Sequence, residues 1–302
     1  MQRDRGRCRF TSTRSLLQNI IKMSKKIILG SLKESIALIW KNKSFFVFLF
    51  TLQVIFFIAF SLISYNYISK MVESQKAIED YLSQQNLDED AVTENILQQK
   101  SIFGGDPLSI SRNFNDTVKN FRIYLIYIFI LLIVFISISW ALTFKIINKT
   151  NLKQFINIFS KNIIILLFYL GLIFLFFFSL LNISITQLAQ QSSMLFIKYF
   201  IFLVISIILA YFMFISLSLI NHVELNNIVQ KTLSIGIRKI HYVLSAYLIN
   251  LFLLGTSIIL LYYFIEKNSF ILLLSIILLI FSFVFGRIFI INVVEKLKKS
   301  IV

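Results

Sequence analysis

A charge inside hydrocarbon costs about 2.5–3.5 kcal/mol at the centre of a span on insertion scales, so an ionisable residue within a long apolar run is the first place to look for chemistry. Arg287 is the one charged residue so enclosed, about four residues from the end of its run. It can snorkel to the interface or present a cation to a pore or substrate. Asn250 is the best placed of the uncharged polar residues, with Gly255 about one turn beyond; Gln53, Asn182, Thr256 and the serines Ser137, Ser139, Ser206, Ser216 and Ser282 complete the set. Such residues either build a polar site or bond neighbouring helices, at about 0.6 kcal/mol per bond. Asn250 and Arg287 are therefore the candidate polar positions within the membrane.

Other chemistry is poorly supplied. His222 and His241 have only Glu224 as a close carboxylate and no cysteine nearby, too few ligands for a metal. Asp88, Asp90 and Glu94 resemble the start of a calcium loop, but Val92 occupies a ligand position and the mid-loop glycine is missing. No phosphate-binding loop, Gly-x-Ser-x-Gly elbow or His-Glu-x-x-His pair occurs. The expectation is no catalytic residue, no metal, no cofactor and no enzymatic activity. Asn115 and Thr117 spell a glycosylation sequon.

These residues sit in an unusual chain. Of its 302 residues 58% are hydrophobic and only 15% charged, with 33 Phe, one Pro and a mean hydropathy of +0.82. A soluble domain carries about a quarter charged residues, so this composition excludes one. The apolar residues fall in six blocks of roughly 20, each long enough to cross a ~30 Å hydrocarbon core as a helix. The blocks cover residues 45–63, 123–144, 163–185, 199–220, 242–265 and 270–291. The expected fold is an all-α membrane protein of six transmembrane helices. A net charge of +16 would point a soluble chain towards nucleic acid. Here it sets topology and meets lipid head groups instead. Cys8 is the single cysteine, so no disulfide can form within the chain.

Basic residues favour the cytoplasmic side. With the N-terminus inside, the inner segments hold 22 Lys and Arg and the outer ones 8. Both termini and residues 145–162 and 221–241 are thus expected to be cytoplasmic, in a cell membrane. Nine of the 14 acidic residues lie in 67–121, the expected external insert. There Met71, Ile78 and Leu82 recur at near-helical spacing, and Asp88 can cap a second short helix over 92–97. Gly104, Gly105 and Pro107 then break the chain, so the insert is expected as a helical flap on the outer ends of the spans.

A weak repeat runs through residues 23–302: a short amphipathic helix with basic residues leads into an outward-going span, three times. The first stripe is Ile28, Leu32, Ile36, Ile39 and Trp40, opposite Lys26, Lys33, Glu34 and Lys41. The second is Leu152, Phe155, Ile156 and Phe159, opposite Lys153, Asn157 and Lys161, with Ile158 off the stripe. The third is Val229, Leu233, Ile237 and Ile240, opposite Lys231, Ser234 and Arg238. Three units of interfacial helix plus helical hairpin are expected, each helix with its stripe on lipid or on neighbouring spans and its Lys or Arg among phosphates. Plain cytoplasmic loops with topogenic lysines are the competing reading. Residues 1–22 differ from the rest, holding five of the nine arginines (Arg3, Arg5, Arg7, Arg9 and Arg14). Three readings stand for them: an upstream extension with translation starting at Met23, a targeting presequence, or a basic tail.

The stretch SKKIILGSLKESIALIWKNKSFFVFLFTLQVIFFIAF resembles the opening of poorly characterised prokaryotic, especially archaeal, polytopic membrane proteins, in which a Trp-Lys-Asn-Lys segment precedes the first span. It is similar in style to the membrane domain that accompanies some bacterial glycerophosphodiester phosphodiesterases. The resemblance implies a fold and a location and defines no functional residue. The separate hydrolase domain of that family has no counterpart here. The expected role is a membrane scaffold or accessory subunit, with anionic lipid head groups and the bilayer as partners on the cytoplasmic side, a protein partner at 67–121, and no nucleic acid. The alternative is a transporter or channel component for a small or lipid-like solute, sited around Asn250 and Arg287.

Overall fold

Hydrocarbon offers the backbone no hydrogen-bond partners, so an apolar chain of this kind must satisfy its own amides, and it does so with helices. The computed structural model describes residues 26–84, 108–148, 150–180, 192–265 and 269–299. Eight helices carry them: α1 (26–41), α2 (Lys43–Gln84), α3 (Leu108–Asn148), α4 (Leu152–Leu180), α5 (Ser192–Leu219), α6 (Leu225–Arg238), α7 (Ile240–Phe264) and α8 (Ser269–Lys299). Six of these, α2 to α5, α7 and α8, are long and apolar enough to cross a membrane. All six expected spans lie within them to within a residue, residues 220 and 265 falling just past α5 and α7, apart from residues 181–185 at the end of the third, which fall outside the described residues.

The first two spans extend far beyond their apolar cores. With 42 residues, α2 measures about 63 Å at 1.5 Å per residue, and α3, with 41, is nearly as long. The helical periodicity of 70–84 belongs to the same helix as the first span. No break separates the two, where a separate flap was expected. Gly104, Gly105 and Pro107, expected to break the chain, fall outside the described residues. The calcium-like residues Asp88, Asp90 and Glu94, and the expected helix over 92–97, fall outside the described residues.

The junctions into the spans differ among themselves. Asn42 follows α1 without breaking its hydrogen bonding: Asn42 N donates to Leu38 O at 3.1 Å and Phe46 N to Asn42 O at 3.0 Å. Lys239 ends α6 by donating to Ile235 O at 2.9 Å and starts α7 by accepting from Tyr242 N at 3.0 Å. Residues 152–159 have no such junction, because they form the first two turns of α4 itself. That helix opens at Asn151, whose carbonyl accepts from Phe155 N at 2.9 Å while Gln154 Oε1 accepts from Asn151 N at 3.1 Å. This is the return half of a capping box.

The described residues divide into two units. One comprises residues up to Val54, Phe135–Gly171 and Leu203 onward. Its axis is the second half of α8, where Val284, Ile288, Phe289, Ile291, Val293, Val294 and Leu297 are completely buried. Leu49 of α2 and Leu142 and Ile146 of α3 join Val284 and Ile288 in a cluster flanked by Leu38, Phe46 and Phe155. Phe281, Phe285 and Phe289 stack at successive spacings of 5.8 and 5.9 Å along α8, and Phe46 meets Phe281 at 5.8 Å.

The other unit comprises Ile55–Val134 and Leu172–Phe202. Aromatic rings supply much of its packing: Phe129 lies 4.7 Å from Phe174, Phe177 5.6 Å from Phe202 and 6.1 Å from Phe121. Tyr67 packs on Tyr124 and Tyr127, Ser64 shares a hydrogen bond with the Tyr124 hydroxyl at 3.1 Å, and Lys70 Nζ lies 5.4 Å from the Tyr67 ring.

Candidate functional site

In the first unit, buried polar side chains are directed at neighbouring helices. Asn250 on α7 donates from Nδ2 to Gly286 O on α8 at 3.2 Å. Glycine eases the approach, since a Cβ at position 286 would crowd the Asn250 amide at 3.2–3.3 Å. Further along the same pair, the hydroxyls of Ser257 and Ser282 lie 3.2 Å apart. Asn292 Nδ2 reaches Ser35 Oγ on α1 at 2.8 Å, and Ser35 in turn donates to Ser31 O at 2.7 Å.

The remaining helices are joined in the same manner. Asn162 of α4 donates to Ser137 O of α3 at 3.2 Å. Tyr169 of α4, Ser216 of α5 and Thr232 of α6 form a chain of hydroxyls at 3.1 and 3.0 Å. Tyr211 of α5 donates to Gly236 O of α6 at 2.8 Å and accepts at its own carbonyl from the Tyr247 hydroxyl of α7 at 3.1 Å. Gly236 permits this closeness, because a Cβ there would lie 2.7 Å from Phe212 Cε1. Of the residues singled out from sequence, Asn250, Ser216 and Ser282 belong to this girdle, and Ser137 contributes its carbonyl while its buried hydroxyl has no partner. Thr256 bonds only within its own helix, to Phe252 O at 2.8 Å, and Asn182 falls outside the described residues. Asn162, Asn292, Tyr169, Tyr211 and Tyr247 were not anticipated.

Three buried polar atoms near the α7–α8 contact are left over. Asn250 Oδ1 and the Arg287 nitrogens Nε and Nη2 have no hydrogen-bond partner. Arg287 follows Gly286 directly, so the two candidate positions meet the same turn of α8. Arg287 is half-buried, with two of its three guanidinium nitrogens enclosed by the protein.

The residues expected at the membrane interface lie on α1, α4 and α6. Lys33 and Trp40 on α1, Lys153 on α4, and Lys231 and Arg238 on α6 are exposed, and Phe159 is half-buried. On α1 the buried side is Ser31 and Ser35, while Leu29, Ile36 and Trp40 are open to the surroundings. On α6 the buried side is Ile228, Thr232, Ile235 and Gly236, and the stripe residues Val229, Leu233, Ile237 and Ile240 are open. On α4 the stripe residues Leu152 and Ile156 are likewise open and Phe155 packs against the core cluster, while Ile158, which the sequence places off the stripe, is 3% exposed and sits in the core. The face of α4 that packs runs Ile158, Asn162, Ile165, Leu166 and Tyr169, because continuity with the span sets its rotation.

His222 Nε2 meets Glu295 Oε1 at 2.7 Å and Lys298 Nζ meets His222 O at 3.2 Å, which clasps the start of the α5–α6 connection to α8. His241 packs on Tyr242 instead. Among the described residues no group of three metal-ligating side chains occurs. The sequon residue Asn115 lies within α3 and is exposed.

Regular structure among the described residues is all helical, and its six long apolar helices are those of a multi-pass membrane protein. Compared with known proteins, the chain matches no family model, no curated protein sequence and no solved structure.

Proposed function

We propose that the chain is a non-enzymatic scaffold or accessory subunit of the cell membrane. Both termini are cytoplasmic in this reading. Three units, each an amphipathic interfacial helix followed by a helical hairpin, form its membrane domain. Lys33, Lys153, Lys231 and Arg238 lie among anionic head groups with Trp40 and Phe159 at the boundary, and the acidic segment 67–121 meets a protein partner outside. The observation that carries this reading is the polar girdle. Asn162, Asn250, Asn292, Ser216 and Tyr211 bond helix to helix, and side chains engaged in that way hold a bundle rigid rather than handle a solute. The open stripe of α6, together with the open Ile36 and Trp40 of α1, supports the lipid contact.

A transporter or channel component for a small or lipid-like solute is the second reading, favoured by the unpartnered Arg287 and Asn250 atoms. Buried polar groups without partners are costly and are kept where they work. Reconstitution into liposomes loaded with ions and small organic solutes separates the two. A scaffold leaves efflux at the level of empty liposomes, and its Arg287→Met variant is more heat-stable in detergent. Efflux above that level, abolished by Arg287→Met, would overturn the scaffold in favour of transport.

A further inference from the structure

Anchored through Ser35 and Asn292, α1 packs Ile39 against the core cluster, leaves Ile36 and Trp40 of its apolar stripe open, and borders a cleft beside α2. The cleft has a volume of about 540 Å³ and is walled by Ile36, Trp40, Val47 and Phe281, with Lys43 alongside. A second cleft of about 490 Å³ shares Ile36 and Phe281 and reaches Leu248 and Phe252 on α7. Both present carbon surfaces. An apolar cavity of this kind gives water no hydrogen-bond partners, so in a bilayer hydrocarbon chain is its natural filling. Lys43 contributes its stem to the wall while its ammonium lies 4.4 Å over the Trp40 ring, which places one cation and one amphipathic ring at the same spot.

The arrangement recurs across α2. A cleft of about 420 Å³ is lined by Phe45, Phe48, Leu142 and Phe155, and Lys145 Nζ lies 5.6 Å from the Phe45 ring. An apolar slot with a lysine held on an aromatic ring therefore occurs on both sides of the same helix start.

We propose that the cleft under α1 is a binding slot for one acyl chain of an anionic phospholipid, whose phosphate is held by Lys43. The proposal rests on the lipid-engaging reading above and specifies its site and headgroup charge.

Trp40 makes the slot directly observable. It is 72% exposed at the cleft, while the other tryptophan, Trp140, is 1% exposed in the core. The full chain is reconstituted in phosphatidylcholine vesicles containing increasing fractions of either phosphatidylglycerol or phosphatidylcholine brominated on the acyl chain, and tryptophan emission is recorded. The brominated phosphatidylglycerol is expected to half-quench the Trp40 component at about one-fifth of the mole fraction that brominated phosphatidylcholine needs, the preference that one surface lysine supplies. Lys43→Gln is expected to keep the quenching and remove the preference. Val47→Phe, which fills the cleft, weakens quenching by both lipids, and Trp40→Phe leaves residual emission that both lipids quench equally. Equal half-quenching by the two lipids in the parent protein, a preference that survives Lys43→Gln, or undiminished quenching in Val47→Phe would each overturn the slot. Solute efflux in the liposome assay would remove the scaffold reading and leave these results standing.

Discussion

At the scale of single residues, close approach and polar satisfaction decide what can change. Gly236 sits where a Cβ would collide with the Phe212 ring at 2.7 Å, yet as a helical glycine it costs about 1 kcal/mol relative to alanine. The two effects oppose each other in Gly236→Ala, which should leave stability in detergent nearly unchanged. In Gly236→Val steric crowding wins, because the branched side chain forces α6 off α5 and breaks the Tyr211 bond to the Gly236 carbonyl. A loss of about 1–3 kcal/mol, visible as a lower midpoint of thermal aggregation, is expected. Asn250 and Arg287 were visible in the sequence because a polar residue stands out within an apolar run. Asn162 and Asn292 escaped because each lies one position outside an assigned span boundary, where a polar residue is unremarkable. Tyr169, Tyr211 and Tyr247 escaped because an aromatic ring reads as apolar while its hydroxyl does the joining.

Elements were more legible than faces. Long apolar blocks of ~20 residues have one low-cost solution in a membrane, so the six spans followed from composition and length. Which side of α4 packs did not follow. Leu152, Phe155, Ile156 and Phe159 mark one apolar face at the start of α4, but Ile158, flanked by Asn157 and two residues before Ser160, is buried because the apolar span that follows sets the rotation of the helix. The environments of Ile156 and Ile158 give a direct check. Ile158→Ala should cost about 2–5 kcal/mol by emptying a core position, while Ile156→Ala should stay within about 0.5 kcal/mol. Comparable midpoints for the two purified variants would contradict the rotation of α4 described above. The boundary between span and insert was hidden for a related reason: residues 70–84 keep helical spacing while losing hydrophobicity, and composition changes there without the backbone noticing.

On the scale of the whole molecule, orientation rests on charge asymmetry, and the helices make it testable at described positions. In a Cys8→Ser background, Glu79→Cys near the end of α2 should react with a membrane-impermeant thiol reagent added to intact cells, and Lys153→Cys near the start of α4 should react only after permeabilisation. The reverse pattern would invert the proposed topology. Both positions are exposed, so a negative result cannot come from burial in the protein.

Asn292 and Ser35 are separated by 257 residues of sequence, and the central helix of the first unit, α8, is the last of the described helices to leave the ribosome. Assembly is therefore ordered in time. Until α8 arrives, Ser35 on α1 and the amide of Asn250 on α7 stand in the bilayer without their interhelical partners, and the cluster around Leu49, Leu142 and Ile146 lacks its centre. Helices α3 to α7 can already be joined through Asn162, Tyr169, Ser216, Thr232, Tyr211 and Tyr247, but closure of the first unit around α8 is a late event that ties the first of the described helices to the last.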